Sequence, residues 1–297
     1  MKRPACFSTT IDLSLAEKLK TDLQEQGFAL STPPYTIFSA VKKGVSCTLY
    51  ESGKLTVQGK EMQPFIEFYL EPEILHELKF SHPAATADLT PHIGMDEAGK
   101  GDYFGPLCIA ALYADSEGIQ KLIEWGVRDS KRFEDETILK LAKKIRQSFM
   151  YTVIRLFPAK YNELYAKFRN LNRLLGWAHA AALSDVSQKS GCKKAILDQF
   201  ADQSVVNNQM QIKKIEIDLE QRVRGEEDIV VAGASILARA AFLDGMQELS
   251  EAHGAKLPKG ASSIVKKTAL TLVAKHGADI LPKIAKIHFK TTKEILE

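Results

Sequence analysis

Cysteine is scarce and scattered: Cys6, Cys47, Cys108 and Cys192 are the full complement, and no CxxC pair occurs. That excludes a disulfide framework and a cysteine zinc site. Cys47 and Cys108 alternate with apolar neighbours, as core residues do. A signal-peptide core is also missing, because Lys2 and Arg3 are followed by Pro4, Ser8, Thr9, Thr10 and Asp12. No apolar run approaches transmembrane length by inspection, so a cytoplasmic protein without membrane contact is expected. Internal repeats and low-complexity segments are absent. So are several catalytic signatures: there is no HExxH, and GASIL at 233–237 is not a GxSxG nucleophile elbow. GMDEAGKG at 94–101 has phosphate-loop spacing, but Gly101 stands where a magnesium-binding Ser or Thr is needed. Asp96 and Glu97 would also repel a polyphosphate lying in that loop, which excludes a nucleotide-triphosphatase.

What remains is a chain of 297 residues, 45% hydrophobic and 26% charged, long enough for two domains with sizeable cores. Net charge is only +3, but it is unevenly spread. Residues 1–90 hold 9 basic and 11 acidic side chains, 91–254 hold 22 and 23, and 255–297 hold 9 and 3. The basic end, with Lys256, Lys259, Lys266, Lys267, Lys283, Lys286 and Lys290, suits a phosphate backbone or equally a set of solvated helix faces.

Periodicity predicts a helix over 12–27 with Leu15, Leu19 and Leu23 on one stripe and Ser14 and Glu17 at capping-box spacing. Strands follow at 35–41, 45–50 and 55–58, then a helix over 62–78 interrupted near Pro72. Pro83, Pro91 and small polar residues mark a boundary, dividing the chain into a domain at 1–80, a linker at 81–91 and a domain at 92–297. The second domain reads as strands at 93–96, 107–114, 151–156 and 194–198. Helices are expected near 117–125, 134–147, 160–189, 230–249, 261–275 and 278–287. This mixture is an α/β domain.

The densest chemistry lies in IGMDEAGKGDYFGPL at 93–107. Asp96 and Glu97 come where an apolar strand ends, and glycines after them let the backbone approach a ligand. Adjacent carboxylates resist desolvation, so a site that keeps them together supplies a cation, a proton or a basic partner. Asp198 ends another buried strand, and Glu226, Glu227 and Asp228 precede a helix whose positive end they equally suit. Strand ends of an open α/β sheet are where ligands bind. Carboxylates without a His or Cys set favour hard ions such as Mg²⁺ or Mn²⁺.

Four ordered motifs, the run at 94–107, VRDSK at 127–131, AILDQF at 195–200 and AGASILARAAF at 232–242, together resemble the type 2 ribonuclease H proteins, most closely ribonuclease HIII. The resemblance covers nearly all of 90–297. Residues 1–80 resemble that family's amino-terminal extension, similar to half of a TATA-binding protein, best at CTLYESGKLTVQGK over 47–60. The fold this implies is an RNase H-like mixed sheet flanked by helices, preceded by a small α+β TATA-binding-protein-like domain. The implied activity is endonucleolytic hydrolysis of the RNA strand in RNA/DNA hybrids with two Mg²⁺ or Mn²⁺ ions, leaving 5′-phosphate and 3′-hydroxyl ends.

The family's first three acids match Asp96, Glu97 and Asp198, and the fourth matches Glu226 best, with Glu227 next. The resemblance has Asp96 bridge two ions, Asp198 and Glu226 complete either side, and Glu97 hold a metal or a ribose hydroxyl. Backbone amides of Gly99, Lys100 and Gly101 match the turn that reads the 2′-hydroxyl, and Asp129, Ser130 and Lys131 match a DSK motif that meets phosphate. GKG in place of GRG, LPKGA at 257–261 and the lack of any tyrosine after Tyr165 favour HIII over HII. Tyr50, Lys54 and Lys60 are candidate hybrid contacts in the first domain, and a monomer is expected. Two alternatives stand beside this reading: another two-metal nuclease on the same general fold, which the DSK and GKG motifs disfavour, and a hybrid-binding protein without activity. The second gains nothing from negative charge clustered beside phosphate.

Overall fold

A computed structural model of the chain describes residues 6–77, 80, 88–128 and 130–297. Most of the linker expected at 81–91, and Asp129 of the DSK motif, lie outside the described residues. Two compact units are present, Met1–Asp88 and Leu89–Glu297.

The first unit is an antiparallel sheet in the order β1-β5-β4-β3-β2, from β1 (Cys6–Thr10), β2 (Ala29–Ser31), β3 (Thr36–Lys42), β4 (Val45–Tyr50) and β5 (Lys54–Gln58). Alternation puts Phe38, Ala40, Cys47, Leu49, Leu55 and Val57 on one face. They are buried in one core with Leu19 and Leu23 of α1 (Ala16–Glu25) and with Ile66 and Leu70. Burial pushes the Cys47 thiol up to about 12, as expected of a core cysteine. Two local expectations fail. The helix start is capped by Asp12, whose carboxylate accepts from Ser14 N, so Ser14 sits inside the first turn and no Ser14–Glu17 box forms. Pro72 does not interrupt the second helix: α2 (Met62–Phe65) runs into a π-helical stretch, Ile66–Leu75, that accommodates it and stops at left-handed His76. Strands β1 and β2 escaped the sequence reading because one is polar and the other only three residues long.

In the second unit the sheet order is β10-β9-β6-β7-β8, from β6 (His92–Ala98), β7 (Leu107–Ala114), β8 (Met150–Leu156), β9 (Lys194–Asp198) and β10 (Asp218–Arg222). β9 pairs parallel with β6 and with β10, whereas β7 pairs antiparallel with β6 and β8. The helices are α3 (Ser116–Glu124), α4 (Asp135–Ser148), α5 (Pro158–Phe168), α6 (Leu171–Ser190), α7 (Ser204–Ile212), α8 (Ile229–Ala252), α9 (Ser263–His276), α10 (Leu281–Ile284) and α11 (Lys290–Leu296). One sheet face, with Ile93, Met95, Ile109 and Ala111, packs on α6; the other, with Ala110 and Leu112, packs on α8 and α4. α8 is long and apolar enough to cross a membrane, contrary to the first reading, but 78% of its apolar window is buried as the core helix of this unit.

Backbone contact fixes where α8 begins. A Cβ on Gly94 would lie 2.3 Å from Val230 C and Val231 N, so only glycine lets strand and helix meet there. Asp228 caps α8, its Oδ1 accepting from Val230 N at 2.9 Å and Val231 N at 3.0 Å. The same oxygen lies 3.0 Å from Nε2 of fully buried His92, whose Nδ1 lies 2.7 Å from Thr90 O. Burial opposes the Asp228 charge, but His92 and the two amides hold its pKa below the usual carboxylate range. Asp228 is thus spent on the helix. Gly94→Ala is expected to destabilise the second unit by about 3 kcal/mol through backbone overlap, measurable as a lower urea midpoint.

Candidate active site

Parallel pairing of Met95 with Leu197 brings the ends of β6 and β9 side by side, and places Asp96 and Asp198 next along at the same edge. A cavity of about 420 Å³ opens there, lined by Asp96, Glu97, Gly99, Lys100, Gly101, Ser130, Lys131 and Asp198 among others. All of the predicted site residues except Glu226 line it. Glu226 lies beside the Asp198 side chain and raises its pKa, whereas Glu227 is 74% exposed and reaches Arg224 at 3.8 Å. Asp198 is also tied to Gly225 N at 2.8 Å, and a Cβ on Gly225 would lie 2.7 Å from Asp198 Cα. That close approach brings Glu226 beside β9. Asp202, four residues beyond Asp198, is exposed and accepts from Ser204 N at the start of α7.

Strand alternation sends the adjacent acids to opposite faces. Asp96 turns toward α8, where Ser235 hydrogen-bonds it and Ser235 Oγ lies 2.7 Å from Ser130 Oγ. Glu97 turns toward α6, where His179 Nε2 lies 3.1 Å from its Oε2. Lys100 Nζ is 3.7 Å from the other Glu97 oxygen and 5.5 Å from the Phe200 ring centre. Phe200 in turn stacks on His179 at 5.0 Å.

The electrostatics follow. Burial, then the charge of Glu97, lifts Asp96 to about 7 against the relief given by Ser235. Burial and Glu226 also raise Asp198, partly offset by Gly225 N. Burial pushes Glu97 the same way, but His179 and then Lys100 outweigh it and hold Glu97 low. One carboxylate of the adjacent pair is therefore stably charged while its neighbour resists ionisation for want of positive charge.

The turn after β6 is glycine-dependent for two different reasons. Gly99 is left-handed, φ +87°, and a Cβ there would lie 2.2 Å from Pro106 O. Gly101 is not left-handed and would have nothing within 4 Å of a Cβ, so the chain itself does not require glycine there. Sequence reasoning missed His179 and Ser235. Ser235 lies inside the quoted motif at 232–242, and His179 is the one ionisable residue in the apolar run AHAAAL of α6. Ser130 departs from expectation: its hydroxyl is buried against Ser235, so of the described DSK residues Lys131 alone is exposed at the rim.

This arrangement has relatives. A family profile described as ribonuclease HII matches residues 93–292. Ribonuclease HIII of Protochlamydia amoebophila is 53% identical over 98% of this chain and 96% of its own length. The chain belongs to the ribonuclease HIII family. Ribonuclease HIII of Chlamydia felis is similar too, at 51% identity over 98% and 97% of the two chains. The crystal structure of Bst-RNase HIII in complex with Mn²⁺ matches with a TM-score of 0.69 and 28% identity over 98% of both chains. Aquifex aeolicus RNase H3 matches at 0.58 and 27%, covering 96% of this chain and 100% of that one. A further profile, a domain of unknown function (DUF3378), matches residues 9–81. The chain is accordingly a metal-dependent endoribonuclease of the RNase H type, acting on RNA/DNA hybrids.

The donor set fits a divalent ion. Its oxygens are carboxylates, Asp96 and Asp198 are both driven toward protonation where no cation balances them, and no sulfur or imidazole lines the cavity. Among the described residues no three His, Cys, Asp or Glu side chains already stand close enough to hold an ion, so the acids are a converging set and not a closed cage.

Asp96 titrates near 7 in the fold against 3.8 when unperturbed, so the native chain binds the extra proton between those values. Its stabilising contribution is complete below the lower value and is lost as pH rises through the higher one. Metal-free protein is expected to melt lower at about pH 8 than at about pH 5, and Asp96→Asn to flatten that dependence and melt higher at about pH 8. Calorimetry in chelator checks both.

Proposed function

We propose that Asp96, Glu97, Asp198 and Glu226 hold two Mg²⁺ or Mn²⁺ ions for hydrolysis of the RNA strand of RNA/DNA hybrids. When bound, such ions supply a water ionised near neutral pH and positive charge at the leaving oxygen. Asp96, Asp198 and Glu226 would hold the ions, and Glu97 would hold an ion or a ribose hydroxyl. The observation that carries this reading is the convergence of Asp96, Glu97 and Asp198 on one cavity, where burial first and the charge of Glu97 second lift Asp96 to about 7. The nearness of Glu226 to Asp198, against the outward turn of Glu227, supports Glu226 as the fourth acid.

His179 and Ser235 do different work. His179 keeps Glu97 charged and oriented, and Ser235 fixes the Asp96 carboxylate from the other face. The amides of Gly99, Lys100 and Gly101 are assigned to the ribose 2′-hydroxyl, supported by the unexplained glycine at 101. Lys131, exposed at the rim, is assigned to backbone phosphate.

For the first unit we assign hybrid binding to the sheet face opposite its core. Register aligns Ser31, Ser39, Thr48, Thr56 and Ser8 in one hydroxyl row across all five strands. Ser39 Oγ and Thr48 Oγ1 are 2.9 Å apart. Tyr50 and Lys54 share that face, and Lys60 follows β5. With 11 acidic against 9 basic residues over 1–90, this surface would hold the duplex through hydroxyls more than charge. The reading makes the protein a monomer and, with four free thiols, a cytoplasmic one.

Cleavage of a labelled RNA/DNA hybrid in Mg²⁺ and in Mn²⁺ tests the site. Asp96→Asn, Asp198→Asn and Glu226→Gln are each expected to lose at least about a hundredfold in rate, several kcal/mol of stabilisation, while Glu227→Gln stays near wild type. Equal loss in Glu226→Gln and Glu227→Gln would refute the assignment of the fourth acid. A Thr48→Glu, Thr56→Glu double variant is expected to raise KM about tenfold, by like charge against phosphate, with kcat little changed.

A further inference from the structure

Lysines of the C-terminal segment were expected at the surface, yet Lys286 is fully buried. Among the described residues no carboxylate lies within hydrogen-bond reach of its ammonium. Its three donors are matched by three backbone carbonyls, Gly105 O at 2.7 Å, Asp102 O at 2.8 Å and Phe104 O at 3.3 Å. Carbonyls converging on one buried point repel unless a multiple donor sits between them, and an ammonium is the side chain with three. A core position needing only volume would be better served by methionine.

The surrounding bonds show what is held. Lys286 N donates to Tyr103 O at 2.9 Å, Gly105 N donates to Ile284 O at 3.1 Å, and Phe104 forms an antiparallel bridge with Ala285. From another side, Gly260 N donates to Asp102 Oδ1 at 2.5 Å and Tyr103 N donates to Gly260 O at 2.9 Å. Asp102 N in turn closes on Gly99 O at 3.3 Å. The exit of the turn at 99–101 is thereby fastened to the C-terminal segment, with Lys286 at the centre of the fastening.

We infer that Lys286 is a positioning residue for the ribose-reading turn, setting the direction of the amides at 99–101 through the carbonyls of Asp102, Phe104 and Gly105. This rests on the reading of that turn given above. Burial lowers the Lys286 pKa to about 8, which leaves it charged at neutral pH. Lys286 does not touch substrate in this scheme; it acts through the turn.

The test uses the full chain with Lys286→Met and Lys286→Gln. Folding is verified by circular dichroism, kinetics are measured on the hybrid, and affinities for an RNA/DNA hybrid and an all-DNA duplex are compared in an Asp198→Asn background that prevents cleavage. The expected result is a KM raised about tenfold, the effect of one lost hydrogen bond to a charged donor, with kcat changed much less. The preference for hybrid over duplex should fall by a similar factor, more in Met than in Gln, which keeps two donors. A merely structural role would lower the melting temperature and leave KM and preference intact in the folded protein, overturning the inference. Failure of both variants to fold would also overturn it. If wild type itself binds hybrid and duplex equally, the reading of the turn fails instead.

Discussion

Carboxylates that share a site repel one another, and the edge where β6 and β9 end is organised around that repulsion. The acids are supplied by separate segments, each fixed by a backbone feature: alternation along β6 for Asp96 and Glu97, the parallel register of β9 for Asp198, and the close approach of Gly225 for Glu226. Asp96, Glu97 and Asp198 are each held by a neutral donor or a basic side chain, Ser235, His179 and Gly225 N in turn. The charge that remains unbalanced is what draws in a divalent cation.

On the assignment proposed above, the two units meet nucleic acid differently. Around the acids, the second unit sets Lys100, Lys131 and Lys259 along the cavity wall, so attraction for phosphate lies beside repulsion from carboxylate. Lys259 is partly committed, since its ammonium reaches Asp135, which also takes Arg239 at 3.0 Å. The first unit presents hydroxyls on a flat sheet instead. Hydroxyl contacts are short-ranged and little weakened by salt, so they suit holding a duplex more than attracting it.

Much of this was legible before any coordinates. β7 and β9 have the predicted bounds because their apolar runs are uninterrupted, and Asp198 ends its strand as expected, whereas β6 runs on to Ala98 and keeps Asp96 and Glu97 inside it, paired with Ala110 and Ile109. Other parts were illegible for physical reasons. β10 (DLEQR) is a polar edge strand with no apolar face to announce it, and α7 is short and amphipathic among polar residues. Among Glu226, Glu227 and Asp228, sequence could not say which faces the site, because one residue of difference in a 3₁₀ turn swings the side chain by a third of a circle. Asp228 proved to be the cap and Glu227 solvent-facing. Lys286 was misread because a lysine among lysines looks solvated; its neighbours Ile284, Ala285 and Phe289 carried the contrary signal.

The contacts of Lys286 also bear on time. They join residues 181 to 184 positions apart, while the sheet edge that carries the acids is completed by strands and helices lying between them. Long-range closures of this kind are entropically slow and follow the local ones. In a folding chain these contacts close only when the C-terminal segment docks. On the reading of the turn proposed above, the segment that completes the fold is also the one that lets the site tell one sugar from another.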